Sequence, residues 1–159
     1  MYFVDRDQIE QTLLYMSGLL ETYEQKTSES FLEKLGTERL AQMVIESIID
    51  VGNMMIDGFI MRDPGSYEDI IDILVDEQVI PKEDEQAYKE TIELRKMLVR
   101  EYTNINHKEI DDILSKHVKT LENFRPNVLD YLEKEMGPVT TFTNVRSSHH
   151  ENRLQRVLN

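Results

Sequence analysis

The chain has 159 residues, no cysteine and no tryptophan, and 31 acidic against 18 basic side chains, for a formal net charge of −13. A chain of this length buries roughly 70% of its unfolded surface in one core, and without cysteine it can build neither a disulfide framework nor a cysteine zinc site. Phosphate backbones repel a net anion, so DNA is not an expected ligand and any RNA contact must lie in a local basic cleft.

The first element is a helix over residues 5 to 25, in which Ile9, Leu13, Met16, Leu20 and Tyr23 form one apolar face and Asp5 with Gln8 resembles a capping box. Gly36 predicts a break between a short helical piece and a long second helix over 37 to 60, with Thr37 as its N-cap. The buried face of that helix is Leu40, Met43, Val44, Ile48, Val51, Met55 and Phe59. Arg62-Asp63-Pro64-Gly65-Ser66 is a turn, and Ser66 with Asp69 opens a third, shorter helix. Pro81, followed by Glu83, Asp84 and Glu85, starts a fourth helix that should reach Tyr102. Asn106 with Glu109 caps a fifth, which Pro126 kinks or restarts before Gly137-Pro138 ends it. His117 reads as a surface residue.

The pattern is therefore all-α, a bundle of about five helices over residues 1–138, followed by a polar segment 139–159 that is a disordered or weakly helical tail. The His149-His150 doublet belongs to that tail. No stretch approaches the ~20 apolar residues of a membrane span and no apolar leader follows a basic start, which predicts a cytoplasmic protein with no membrane partner. No metal-binding pattern and no phosphate loop is present, so neither a metal nor a cofactor is expected.

Glu46, Asp50, Asn53 and Asp57 step by 4, 3 and 4 along one side of the long helix, and Arg39 extends the row. The row reads either as a solvated stripe or as a polar network that orients a cation on another helix. Arg95 is the candidate cation, with Glu46, Asp50 and Asn53 as its support.

Residues 94 to 102 read Leu-Arg-Lys-Met-Leu-Val-Arg-Glu-Tyr. The segment resembles the signature of the HepT-like branch of the HEPN superfamily, an arginine, four residues, a histidine, one residue and a tyrosine. Arg95 matches the arginine and Tyr102 the tyrosine, but Arg100 stands where the family has histidine. The runs Glu46 to Asn53, Phe59 to Tyr67 and Asp72 to Glu77 resemble the YutE-like subgroup in particular, and the likeness covers residues 1 to about 140.

The resemblance implies a homodimeric helical bundle. It also implies a metal-independent endoribonuclease toxin, with a nucleotidyltransferase antitoxin that can adenylylate the motif tyrosine, here Tyr102. Cleavage of RNA without metal needs a group that titrates near neutrality to activate the 2′-hydroxyl and protonate the leaving oxygen. Arginine stays protonated, so Arg100 can bind phosphate but cannot act as a base. Weak or lost catalysis is the expectation.

Arg100 and His107, with six intervening residues, also fit a looser form of the motif, which makes His107 a further candidate. Ordinary roles compete with these. Arg95 could pair with Glu46 or Asp50, His107 could simply cap a helix, and Tyr102 could be a helix-end tyrosine. At ~100° per residue Arg100 points ~140° away from Arg95, so one helix does not aim both at one point. The alternative function is a non-catalytic dimeric helical module that binds a protein partner or a nucleotide.

Overall fold

The computed structural model describes residues 3–27 and 30–137. The 139–159 segment and its histidine doublet lie outside the described residues. Six α-helices follow in order: α1 (Arg6–Glu24), α2 (Phe31–Gly58), α3 (Tyr67–Asp76), α4 (Glu85–Arg100), α5 (His107–Glu122) and α6 (Phe124–Met136). A single 3-10 turn, Lys82–Asp84, leads into α4. The described residues contain no strand, as the all-α pattern predicts.

α2 is the central element. Its 28 residues span about 42 Å and pack on α1, α3, α4 and α5, while α6 closes the bundle against α1 and α5. Val44, Ile45, Ile48, Val51 and Met55 are its fully buried line. Leu40 and Met43, expected on that line, are only partly buried at its edge.

The predicted break at Gly36 does not occur. The helix starts six residues earlier, where Ser30 Oγ accepts from Glu33 N at 3.2 Å, and Thr37 Oγ1 bonds back to Glu33 O at 3.0 Å instead of capping. A mid-helix glycine costs only about 0.5–1 kcal/mol relative to alanine, and the Ser30 cap gives the helix a start beyond it. At the other end α4 stops at Arg100, two residues before the expected limit, and Tyr102 sits in the following turn. The fifth predicted helix is two segments: α5 ends at Glu122 and α6 restarts at Phe124, with Pro126 in its first turn.

Gly52 lets α3 lie close on α2. A Cβ there would meet Ile70 Cγ2 at 2.4 Å. The connection into α3 is fastened by charge. Arg62 donates to both carboxylate oxygens of Asp69, at 2.7 and 2.8 Å, and Gly65 N donates to the same group at 2.8 Å. Arg62 first, then the Gly65 amide, hold the Asp69 carboxyl down at about 2. Ser66 caps α3 by accepting from Asp69 N at 3.1 Å, as its spacing predicts. Ile60, at φ 56°, occupies the left-handed position after α2, with Met61 N bonded to Ile56 O at 2.9 Å across it.

Two further contacts close the molecule. The rings of Phe59 and Tyr131 meet edge to face at 5.1 Å, tying the end of α2 to α6. At the same end Phe3 N donates to Gly58 O at 3.2 Å and Arg6 Nη1 donates to Gly137 O at 3.3 Å.

His117 is not on the surface. It lies on the apolar face of α5 with Ile110, Leu114, Val118 and Leu121 and is 7% exposed. Its Nε2 bonds to the Glu90 carboxylate on α4, which satisfies an imidazole that burial would otherwise leave unpaired. The same contact draws the Glu90 carboxyl below its usual range.

Candidate functional site

The polar row of α2 and the arginine of α4 meet. Arg95 Nε donates to Glu46 Oε1 at 2.7 Å, with both side chains about two-thirds buried (27% and 30% exposed). The guanidinium lies over the ring of Tyr67, its Cζ 4.6 Å from the centroid. The Glu46 contact raises the Arg95 pKa further above its already high value. A partly exposed ion pair and a cation–π contact each contribute on the order of 0.5–1 kcal/mol. Their combined effect is chiefly orientational, because one contact holds Nε and the other holds Cζ over the ring.

Arginine carries five N–H donors, and this pairing uses the one on Nε. Among the described residues no acceptor engages the terminal nitrogens of Arg95. A planar donor fork is therefore held in place and left open.

The other members of the row play different parts. Asp50 lies one turn beyond Glu46 in a shallow cleft between α1 and α2, beside Gln11, Tyr15 and Met43. Partial desolvation, then the like charge of Glu46, raises its carboxyl pKa. Asn53 is half-buried. Neither Asp50 nor Asn53 bonds to Arg95, so Glu46 alone is its hydrogen-bonded anchor among the described residues.

The rest of the expected motif is not gathered at Arg95. Arg100 is exposed at the last turn of α4, and Tyr102 is 67% exposed in the turn beyond it. Among the described residues neither side chain forms a hydrogen bond or ion pair. His107 opens α5 and bonds through Nε2 to Glu38 Oε2 at 2.8 Å. Glu38 and Glu46 are eight residues apart on α2, about 12 Å of helix, so the two candidates rest on anchors well separated along one element. The cleft beside His107 has a volume of about 280 Å³ and is walled in part by Lys26, Lys34 and Lys108. Two of these lysines are matched: Lys26 pairs with Asp111 at 2.8 Å and Lys108 with Asp112 at 2.7 Å. Among the described residues no group of three or more histidine, aspartate or glutamate side chains could hold a metal ion.

Tyr67 was not among the residues the sequence singled out for the site. Its one visible signal is position: an aromatic directly after the Ser66 cap, at the first residue of α3.

A family comparison decides what this arrangement belongs to. The profile of the ribonuclease HepT-like family matches residues 9–128. The chain belongs to the ribonuclease HepT-like family. A Bacillus subtilis (strain 168) protein named "Putative RNase YutE" is 43% identical over 143 residues, spanning 89% of this chain and 99% of that protein. The solved structure of the cytosolic protein YutE from Bacillus subtilis superposes with a TM-score of 0.86 at 43% identity, covering 88% of this chain and 99% of the other. The HepT-like resemblance and the closer likeness to the YutE-like subgroup are thus both borne out. Within this HepT-like chain no described helix is long and apolar enough to cross a membrane.

Proposed function

We propose that this HepT-like chain is a cytosolic, RNA-directed protein in which Arg95 binds the phosphodiester. With Arg100 in the place of the motif histidine, its metal-independent endoribonuclease activity is weak or lost. The observation that carries this reading is the open guanidinium fork, anchored by Glu46 and Tyr67 with its terminal nitrogens unengaged. A fork of this kind matches two phosphate oxygens and stabilises the charge that builds on them in a transesterification.

Proton transfer is the missing part. Arg100 cannot accept a proton. Of the two described imidazoles, His117 is buried against Glu90 and His107 is held by Glu38. His107 is the residue through which residual cleavage would run, with a second protomer completing the site. The matching relative's name and the family description both support an RNA substrate. The exposed Tyr102 supplies the accessible hydroxyl that modification by a nucleotidyltransferase partner requires.

The deciding experiment is RNA cleavage by the purified protein in the presence of chelator, beside Arg95→Ala and Arg100→His. Weak or absent cleavage by the native chain, a gain in Arg100→His and loss of RNA binding in Arg95→Ala are the expected results. RNA binding unchanged in Arg95→Ala would refute the reading.

A second reading has one specific observation in its favour. Phe31 and Leu32 are 74% and 77% exposed at the head of α2, with Leu35 one turn further on. Such a patch, together with the −13 net charge, suits a dimeric module that binds a protein partner, such as a nucleotidyltransferase antitoxin, rather than a nucleic acid.

A further inference from the structure

We propose that Tyr67 is a positioning residue: its ring fixes the plane of the Arg95 guanidinium so that the terminal nitrogens are set for a phosphate oxygen before any ligand arrives. The inference rests on Arg95 being the phosphate-binding group proposed above, and it concerns a residue outside the Arg95-to-Tyr102 motif.

The geometry supplies the argument. Glu46 holds Arg95 at one atom, Nε. A single hydrogen bond at Nε leaves the guanidinium free to tilt about the last bonds of a flexible side chain. The Tyr67 ring, its centroid 4.6 Å from Cζ, limits that freedom by giving the cation a second point of contact on its π face.

The ring itself is held from elsewhere. Tyr67 is the first residue of α3, directly after the Ser66 cap, and the connection behind it is locked by the two hydrogen bonds of Arg62 to Asp69. Gly52 then seats α3 closely on α2, the helix that carries Glu46. Glu46 and Tyr67 therefore come from two elements whose spacing is set independently of Arg95, which is what a preformed cradle needs. Tyr67 is also 46% exposed, more than core packing requires of a tyrosine, and its hydroxyl forms no hydrogen bond among the described residues.

Two measurements test this. The first is the Nε–Hε resonance of Arg95 in the free protein. A guanidinium over a ring face is shifted upfield by the ring current. Tyr67→Phe should keep that shift and Tyr67→Leu should abolish it and broaden the signal. An unchanged resonance in Tyr67→Leu overturns the proposal without RNA being involved.

The second is binding of a fluorescent oligouridylate across a salt series, with circular dichroism to verify the fold of each variant. Losing a pre-ordered side chain should weaken binding by about 2- to 12-fold in Tyr67→Leu. Its salt slope should fall toward that of Arg95→Ala, by about 0.7 for one phosphate contact on a single strand, and Tyr67→Phe should match the native protein. Weaker binding at an unchanged salt slope would make Tyr67 a base-stacking platform and overturn the positioning role. Loss in Arg95→Ala with no change in Tyr67→Leu removes this inference and leaves the phosphate role of Arg95 intact. No effect of Arg95→Ala removes both.

Discussion

The two ends of the family motif sit in contrasting surroundings. Arg95 is half-buried, paired with a helix behind it and laid on an aromatic ring. Arg100 and Tyr102, a turn or two further on, are exposed and engage no partner among the described residues. The bundle thus supports Arg95 from two other helices and leaves Arg100 and Tyr102 facing solvent.

The largest expected effect comes from disturbing the supported half through the helix that carries Tyr67. Gly52→Ala places a Cβ against Ile70 and should destabilise the protein by about 1–3 kcal/mol, read as a lower urea midpoint at an unchanged slope. Because Ile70 on α3 must give way, a shift passed on to Tyr67 should also disturb the Arg95 Nε–Hε resonance.

Acid acts on the same region. The folded Asp69 carboxyl lies at about 2, well below its ordinary 3.8. A depressed carboxyl contributes stability that is present above its unfolded value and lost as pH falls toward the folded one. The Glu85 carboxyl, held at about 2 by Lys82, Lys89 and Asp72, behaves alike. Thermal stability should therefore decline between about pH 4 and pH 2. Arg62→Gln should lower stability at neutral pH and shrink that decline, because the folded Asp69 carboxyl then lies nearer its unfolded value.

Ile60 sharpens the comparison from its rim. An exposed β-branched residue at φ 56° is strained, and Ile60→Gly should raise stability by about 0.5–1 kcal/mol, the strain relieved less the added chain entropy of glycine. Arg100→Ala is the smallest. It should change stability by no more than about 0.5 kcal/mol, and a larger loss would show that the unsupported half is built into the fold after all.

What the sequence revealed follows the range of the interactions. Caps made within three residues were legible: Asp5 to Gln8, Ser66 to Asp69 and Asn106 to Glu109 all form as their spacing predicts. The Arg95–Glu46 pair was legible only as an alternative: the polar row of α2 read equally as a solvated stripe, and Arg95 could pair with Glu46 or Asp50. The misses were cross-helix matters. His117 carries no local sign that Glu90, on the preceding helix, will satisfy it. Tyr67 reaches Arg95 only because Gly52 brings α3 inward. Gly36 misled because a single glycine costs a helix little, and the Ser30 cap starts α2 upstream of it.

The hydrogen bonds from Phe3 to Gly58 and from Arg6 to Gly137 have a topological consequence. They bring the first and last described residues to one pole, beside the end of α2. With residues 1–2 and 138–159 removed, a linker from 137 to 3 would turn the bundle into a ring, which could be reopened in the exposed turn after α4. Such a permutant would cut the chain between Arg100 and His107, releasing the solvent-facing half of the motif from its tether while Arg95, Glu46 and Tyr67 keep their seats.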